Sequence, residues 1–107
     1  MPAISLKNIA AGTTNALAGN TFEQLDGPAL VSVYGSTAVA GGTISMGVEG
    51  GSRLILSAAE PNIEGSADVV DTDRDMLIER EPVGKGKLQL SVAAQVCNVL
   101  IVIEEVG

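Results

Sequence analysis

The sequence predicts an all-β protein, an antiparallel β-sandwich of about eight short strands with jelly-roll or Greek-key topology. Two observations lead to this prediction. Apolar residues alternate with small or polar ones at a period of two, which is typical of strands with one buried face. Glycine and proline clusters separate these stretches at intervals of about 8–12 residues, a spacing typical of sandwiches and barrels. Packing many short strands into two sheets also hides their edges.

Six stretches have an alternating or continuously apolar pattern and are predicted as strands. They are residues 29–34, 43–49, 53–56, 76–79, 87–96 and 99–103. The alternation is cleanest in residues 87–96, where every second residue from Leu88 to Val96 is apolar. Turns are predicted where glycine, proline, asparagine or aspartate punctuate the chain. These places are residues 26–28, 35–36, 41–42, 50–51, 61–62 and 82–84, with Gly50-Gly51 as a hairpin turn.

The chain has the length of a single domain, residues 1–107. Residues 10–20 are small and polar without a clear period, so we predict either a loop or an N-terminal arm within residues 1–20. Phe22 and Tyr34 are the only aromatic residues, so the core must consist of Ala, Val, Ile and Leu. These side chains bury less area than aromatic rings do, so stability requires many of them or a partner that buries more.

Two predicted strands, residues 54–56 and 99–103, are apolar on both faces. Such runs are typical of strands that are covered on both sides. In a chain of this size, we expect the second side to be covered by another subunit or another layer. The candidate interface residues, which would bury area within or between subunits, are Leu54, Leu56, Val99, Ile101 and Ile103.

The chain is acidic, with a net charge of −7 and an isoelectric point near 4.3. An acidic surface repels phosphate groups, and the basic residues are scattered, so we expect no nucleic-acid partner. The N-terminus lacks the pattern of a secretory signal. The longest apolar run, residues 99–103, is far too short to cross a bilayer. We therefore expect a soluble protein with no membrane partner.

Composition argues against most catalytic sites. The chain has no histidine, which excludes a histidine-based triad and a histidine-based zinc site. Composition leaves a Ser–Lys pair open, but each lysine has polar or glycine neighbours in the sequence, so none lies in the apolar context that such a pair needs. The one cysteine, Cys97, lies in an apolar run and is predicted to be a small buried side chain. We expect the protein not to be an enzyme.

A stretch of alternating aspartates is the one pattern that points to a cation. Asp71, Asp73 and Asp75 resemble the start of a calcium loop, because calcium prefers several carboxylate oxygens on one side of a turn. An EF-hand loop also needs Gly at its sixth position and Glu at its twelfth, which here are Met76 and Pro82. Two readings stay open: a calcium site formed by the three aspartates, and a solvated acidic loop that binds no cofactor.

Short strands rich in Val, Ala and Gly resemble those of the small β-sandwich, jelly-roll-like virion proteins of bacteriophages. The segments that carry the resemblance are residues 28–34, 43–49, 68–80 and 86–106, together with the turn and strand at residues 81–90. Minor capsid, decoration and cement proteins belong to this type. The resemblance implies a capsid protein that forms homo-oligomers or binds other capsid proteins, and that resides in the virion after synthesis in the host cytoplasm. The alternative is a free-standing, calcium-dependent adhesin or binding module that uses the three aspartates.

Overall fold

The structure is a computed structural model that describes residues 3–17, 24–25, 28–48, 53–63, 70, 74–78, 80–84 and 86–105. Within these residues the chain forms nine strands and no helix, which confirms the predicted all-β class. The strands are β1 Ala3–Ile9, β2 Gln24–Leu25, β3 Ala29–Thr37, β4 Thr43–Val48, β5 Arg53–Ala59, β6 Asn62–Ile63, β7 Glu81–Val83, β8 Gly86–Ala93 and β9 Cys97–Glu105.

The strands form two sheets that pack face to face. The first has the order β1-β9-β3-β6, with β7 also paired to β3, and the second has the order β2-β8-β4-β5. The antiparallel partners are nested along the chain: β1 pairs with β9, β2 with β8, β3 with β7, and β4 with β5. A long hairpin rolled up on itself produces this order, so the topology is that of a jelly roll. The two-residue strand β6 is an addition, parallel to the end of β3.

Alternation builds the core, as predicted. The inward residues of β9 face those of β8 and β4, and nearly all are aliphatic. The largest apolar side chains with almost no exposure are Leu17, Val31, Val33, Ile44, Met46, Leu88, Leu90, Val92, Val99 and Ile101. Because both sheets supply these side chains at a period of two, the core extends along most of the sandwich.

The turn predicted at Gly35-Ser36 is wrong, because both residues lie inside β3 and are buried. Gly35 has a packing role instead. A Cβ atom there would lie 2.7 Å from Ile44 Cδ1 and 2.9 Å from Leu77 Cδ1, closer than carbon atoms approach. The glycine therefore lies where the second sheet and the segment around Leu77 both approach β3 closely.

Two predicted strands have different limits in the structure. Of residues 76–78, only Met76 makes a bridge, to Tyr34, and the chain then bends before β7 resumes pairing with β3. The strand predicted over residues 87–96 ends at Ala93, because Ala94 has a φ of 70° and starts the turn to β9. An apolar period alone does not reveal such a turn, since alanine is compatible with either structure.

Residues 3–17 are integrated into the sandwich. After β1, the chain crosses to the second sheet, where Gly12 N donates to Val92 O at 2.9 Å and Ala16 N to Leu90 O at 2.7 Å. Asn15 Oδ1 accepts from the backbone N–H groups of Leu17 and Leu90, at 3.1 and 3.3 Å. Leu17 is fully buried. The described part of the suggested N-terminal arm is thus a bridge between the two sheets.

Candidate interaction surface

Two members of the aspartate triplet, Asp71 and Asp73, lie outside the described residues. Asp75 is buried, and its Oδ1 accepts a hydrogen bond of 2.9 Å from Asn62 Nδ2. The same amide nitrogen donates to the carbonyl oxygen of Arg74 at 2.7 Å, and Arg74 Nε lies 3.5 Å from Asp75 Oδ1. The carboxylate thus fixes residues 74 and 75 against β6. Within the described residues, no group of three or more potential ligands could hold a metal ion.

The structure separates the five candidate interface residues. Leu56, Val99, Ile101 and Ile103 are buried in the core of the chain itself, whereas Leu54 is 66% exposed. The reason is the pleat of β9: its odd-numbered residues point to the second sheet, and only the even-numbered ones face outward. The outward residues Leu100 and Val102 are half-buried. The apolar run in β9 therefore contributes one face to the core of the chain itself, and its other face is a half-buried part of the outer surface.

A shallow groove of about 260 Å³ runs over the outer face of the second sheet, beside Leu54. It is lined by Thr14, Ser45, Met46, Gly47, Val48, Leu54, Gln89 and Ser91. Sites for drug-sized ligands usually enclose about 300–1,000 Å³ and bury most of the ligand. The groove is smaller and open, and its lining among the described residues includes no charged group that could orient a substrate.

Several connections converge at one end of the sandwich, which we call the turn end: residues 10–13, 38–42 and 94–96, together with Ile63. The strand register brings them together. Cys97 lies opposite both Ile9 and Thr37, and Ile63 also lies opposite Thr37. Thr43 pairs with Ala93 in the other sheet. Loops that are separated by up to 80 residues in the chain thus form a single surface.

Short contacts hold these turns together. Thr37 Oγ1 lies 3.1 Å from Val39 O and 3.0 Å from Val96 O, so its hydroxyl joins the β3–β4 turn to the β8–β9 turn. A Cβ atom at Gly42 would lie 3.1 Å from both Cys97 Sγ and Gln95 Cβ, so the glycine lets the turns pack closely. The turn end is therefore a built surface rather than a set of independent loops.

The described residues of the turn end expose apolar side chains and no charged group. Among the described residues, the five exposed large apolar side chains are Val39, Leu54, Ile63, Met76 and Val96. Three of them belong to the turn end: Val39 is 56% exposed, Ile63 is 61% and Val96 is 44%. The sequence contains no charged residue in 8–22, 28–48 or 88–103, which include the three turns. Grouped apolar exposure of this kind typically marks an interaction surface.

The opposite end of the sandwich is charged. There Glu81 lies opposite Val31, and Glu104 lies opposite Leu30. Arg80 Nη2 is 3.3 Å from Glu104 Oε2, and Lys87 pairs with Gln24 in β2. The sandwich is thus polarised along its strands, from an apolar turn end to a charged end.

Cys97 is predicted to be unreactive in the folded protein. Its side chain is buried beneath the turn end, its thiol donates to Gln95 O at 3.4 Å, and burial raises its pKa despite the opposing hydrogen bond with Thr37. We expect slow labelling by a thiol reagent at pH 7.5, and fast labelling in denaturant. The pKa of the Cys97 thiol is higher in the folded protein than in the unfolded chain. The protonated thiol therefore contributes fully to the free energy of unfolding below the unfolded-state pKa, and this contribution is lost as the pH rises through the folded-state pKa. Rapid labelling of the native protein would contradict the described burial.

An Ala94→Gly substitution is expected to raise the free energy of unfolding by about 0.5–1 kcal/mol. Ala94 has a φ of 70°, a conformation that costs non-glycine residues about 1–2 kcal/mol, and the added freedom of the unfolded chain offsets part of the gain. Urea unfolding of the variant measures the change. In the matched control, Ala93→Gly at the exposed end of β8, the same substitution should be destabilising. Equal effects at the two sites would rule out strain at Ala94.

The chain matches no protein-family model, and comparison with the curated proteins and with the solved structures returns no significant similarity. The described residues contain no helix long and apolar enough to cross a membrane. Function is therefore inferred from the chemistry of the described surface.

Proposed function

We propose that this chain is a non-enzymatic structural component of a viral particle of the phage type, and that it acts by associating with copies of itself or with a capsid lattice. One observation carries the proposal: the polarised jelly roll, with apolar exposure gathered at one end and charge at the other. Jelly rolls serve as capsid and lectin domains, among other roles. An apolar end that a neighbour can cover and a charged end that remains in solvent suit a subunit of a shell.

The packing energetics support the same role. An apolar side chain gains about 1.5–3 kcal/mol when it is fully buried, so Val39, Ile63 and Val96 favour a state in which a partner covers them. The aliphatic core provides the rigid support that a repeated contact requires. The negative net charge keeps the subunit soluble before it assembles.

The calcium-dependent adhesin is the competing function. It would need Asp71, Asp73 and Asp75 to point at one ion. The carboxylate of Asp75 is buried and hydrogen-bonded to Asn62, which favours the structural role for this residue.

Light scattering behind size-exclusion chromatography tests the proposal over a wide range of protein concentration, with and without calcium chloride. We expect a mass that rises with concentration to a discrete oligomer or shell, and no dependence on calcium. A monomer at every concentration would refute self-association. Stabilisation by calcium without a change in mass would favour the binding module.

A further inference from the structure

We infer that copies of this chain meet at their turn ends around a symmetry axis, with the β1 side of each copy beside the β5 side of the next. The inference rests on the proposed function and adds to it the contact surface and the relative orientation of the copies. The occupant of the surface is a second copy of the same chain.

Charge favours a second copy at this end. Two chains that each carry a net charge of −7 repel one another wherever their acidic groups approach. The three turns carry no charge, so two turn ends can approach without this repulsion. The charged end carries Glu81 and Glu104 beside Arg80 and Lys87, so contact there would require several charged groups to lose water. Self-contact through the apolar end is therefore the least costly arrangement.

The side chains of the turns are also small enough for several copies to meet around one symmetry axis. Most other exposed residues of the three turns are small. They are Ala10, Ala11, Gly12, Ala38, Ala40, Gly41 and Ala94. Short side chains let neighbouring backbones come close, and the two valines then supply the apolar contact.

The rim of the turn end carries opposite charges on opposite sides. Lys7 is exposed on β1, which forms one edge of the first sheet, and Glu60 is exposed just after β5, at an edge of the second. Residues 10–17 join the β1 edge to β8 next to β2, whereas Glu60 and Pro61 join β5 to β6. Lys7 and Glu60 therefore lie on opposite flanks. A head-to-tail ring places Lys7 of one copy beside Glu60 of the next.

Aspartate substitutions test the surface. We expect Val39→Asp and Val96→Asp each to raise the concentration for half-assembly about tenfold or more, because assembly would bury an unpaired charge. The matched controls, Leu54→Asp and Met76→Asp, place the same charge on other exposed apolar positions, whose exposures of 66% and 40% bracket those of Val39 and Val96, and should change this concentration less than about threefold. Circular dichroism and thermal unfolding establish that each variant is folded. The two test variants lie on different turns, so either one alone can carry the test.

Charge reversal tests the orientation. Lys7→Glu and Glu60→Lys should each weaken assembly about two- to fivefold, and the double variant should restore it. Glu60→Lys is the more decisive variant, since it makes the chain less acidic and would strengthen assembly if general repulsion alone were at work. Additive effects in the double variant would overturn the head-to-tail orientation.

The outcomes separate this inference from the proposed function. If the wild-type protein assembles and only Leu54→Asp or Met76→Asp disrupts it, the turn end is not the contact, although self-association stands. If the wild-type protein remains monomeric at all concentrations, self-association fails and this inference fails with it. Loss of assembly in Val39→Asp and Val96→Asp alone supports the turn end.

Discussion

Replacing Leu17 by alanine is expected to lower the free energy of unfolding by about 2–5 kcal/mol. Leu17 is fully buried, and its backbone N–H donates to Asn15 Oδ1, which holds the backbone in place and prevents it from moving in to fill the cavity that the truncation creates. Domains of this size are usually stable by about 5–15 kcal/mol, so the loss is a large share of the total. Urea unfolding followed by circular dichroism measures it.

Leu54→Ala is the matched control for this prediction, because it removes the same atoms from a side chain that is 66% exposed. We expect a change of less than about 0.5 kcal/mol. The comparison also decides the role of the N-terminal region. A nearly neutral Leu17→Ala variant would mean that residues 10–17 detach from the sandwich in solution and behave as an arm.

Replacing Gly35 by valine is expected to destabilise the protein by at least about 1–3 kcal/mol. The first added atom would lie 2.7 Å from Ile44 Cδ1 and 2.9 Å from Leu77 Cδ1, so both of these side-chain ends must move, and the two methyl groups of valine need further space. In an open strand the same substitution would be favourable, because valine has a higher β-propensity than glycine. Thermal and urea unfolding determine the sign.

A second substitution distinguishes overpacking from a general intolerance of side chains in β3. Ile44→Val removes the Cδ1 atom that the new Cβ at position 35 would meet. The combined Gly35→Ala and Ile44→Val variant should therefore be more stable than the sum of the two single effects predicts. Gly84→Ala, where no atom lies within 4 Å, is the control and should have little effect. Strict additivity in the double variant would contradict close contact between these residues.

Local pattern was sufficient for the fold class and for several strands. The alternation in residues 43–49 and 87–93 corresponds to β4 and β8, and the apolar run 99–103 lies within β9. Strand β1 was missed because Asn8 and Lys7 interrupt its apolar pattern and a bulge lies between Leu6 and Ile9. The strand predicted at 76–79 failed because an apolar run is equally compatible with irregular chain that follows a sheet edge.

The candidate surface was beyond the reach of the sequence. Val39 and Val96 lie in separate turns, and Ile63 lies in a third segment two residues after Pro61, so no local pattern relates them. The sequence indicated interface residues in β9 instead, since a continuous apolar run looks the same whether its second face meets a partner or the outer surface. Only the strand order shows which of these residues are internal.

The amino-acid sequence by itself determined that this protein is all-β, that its core is aliphatic, and that Cys97 is buried, because these properties follow from residue type and from a period of two along the chain. The tertiary structure decided that the sandwich is a jelly roll and that Val39, Ile63 and Val96 share one uncharged end. It also decided that Gly35 lies within a strand and allows the two sheets to approach closely, rather than forming a turn. The physical reason is the sequence distance over which each property is determined. Periodicity depends on neighbouring residues and indicates the two faces of a strand, whereas pairing between strands that are distant in the sequence determines which loops meet.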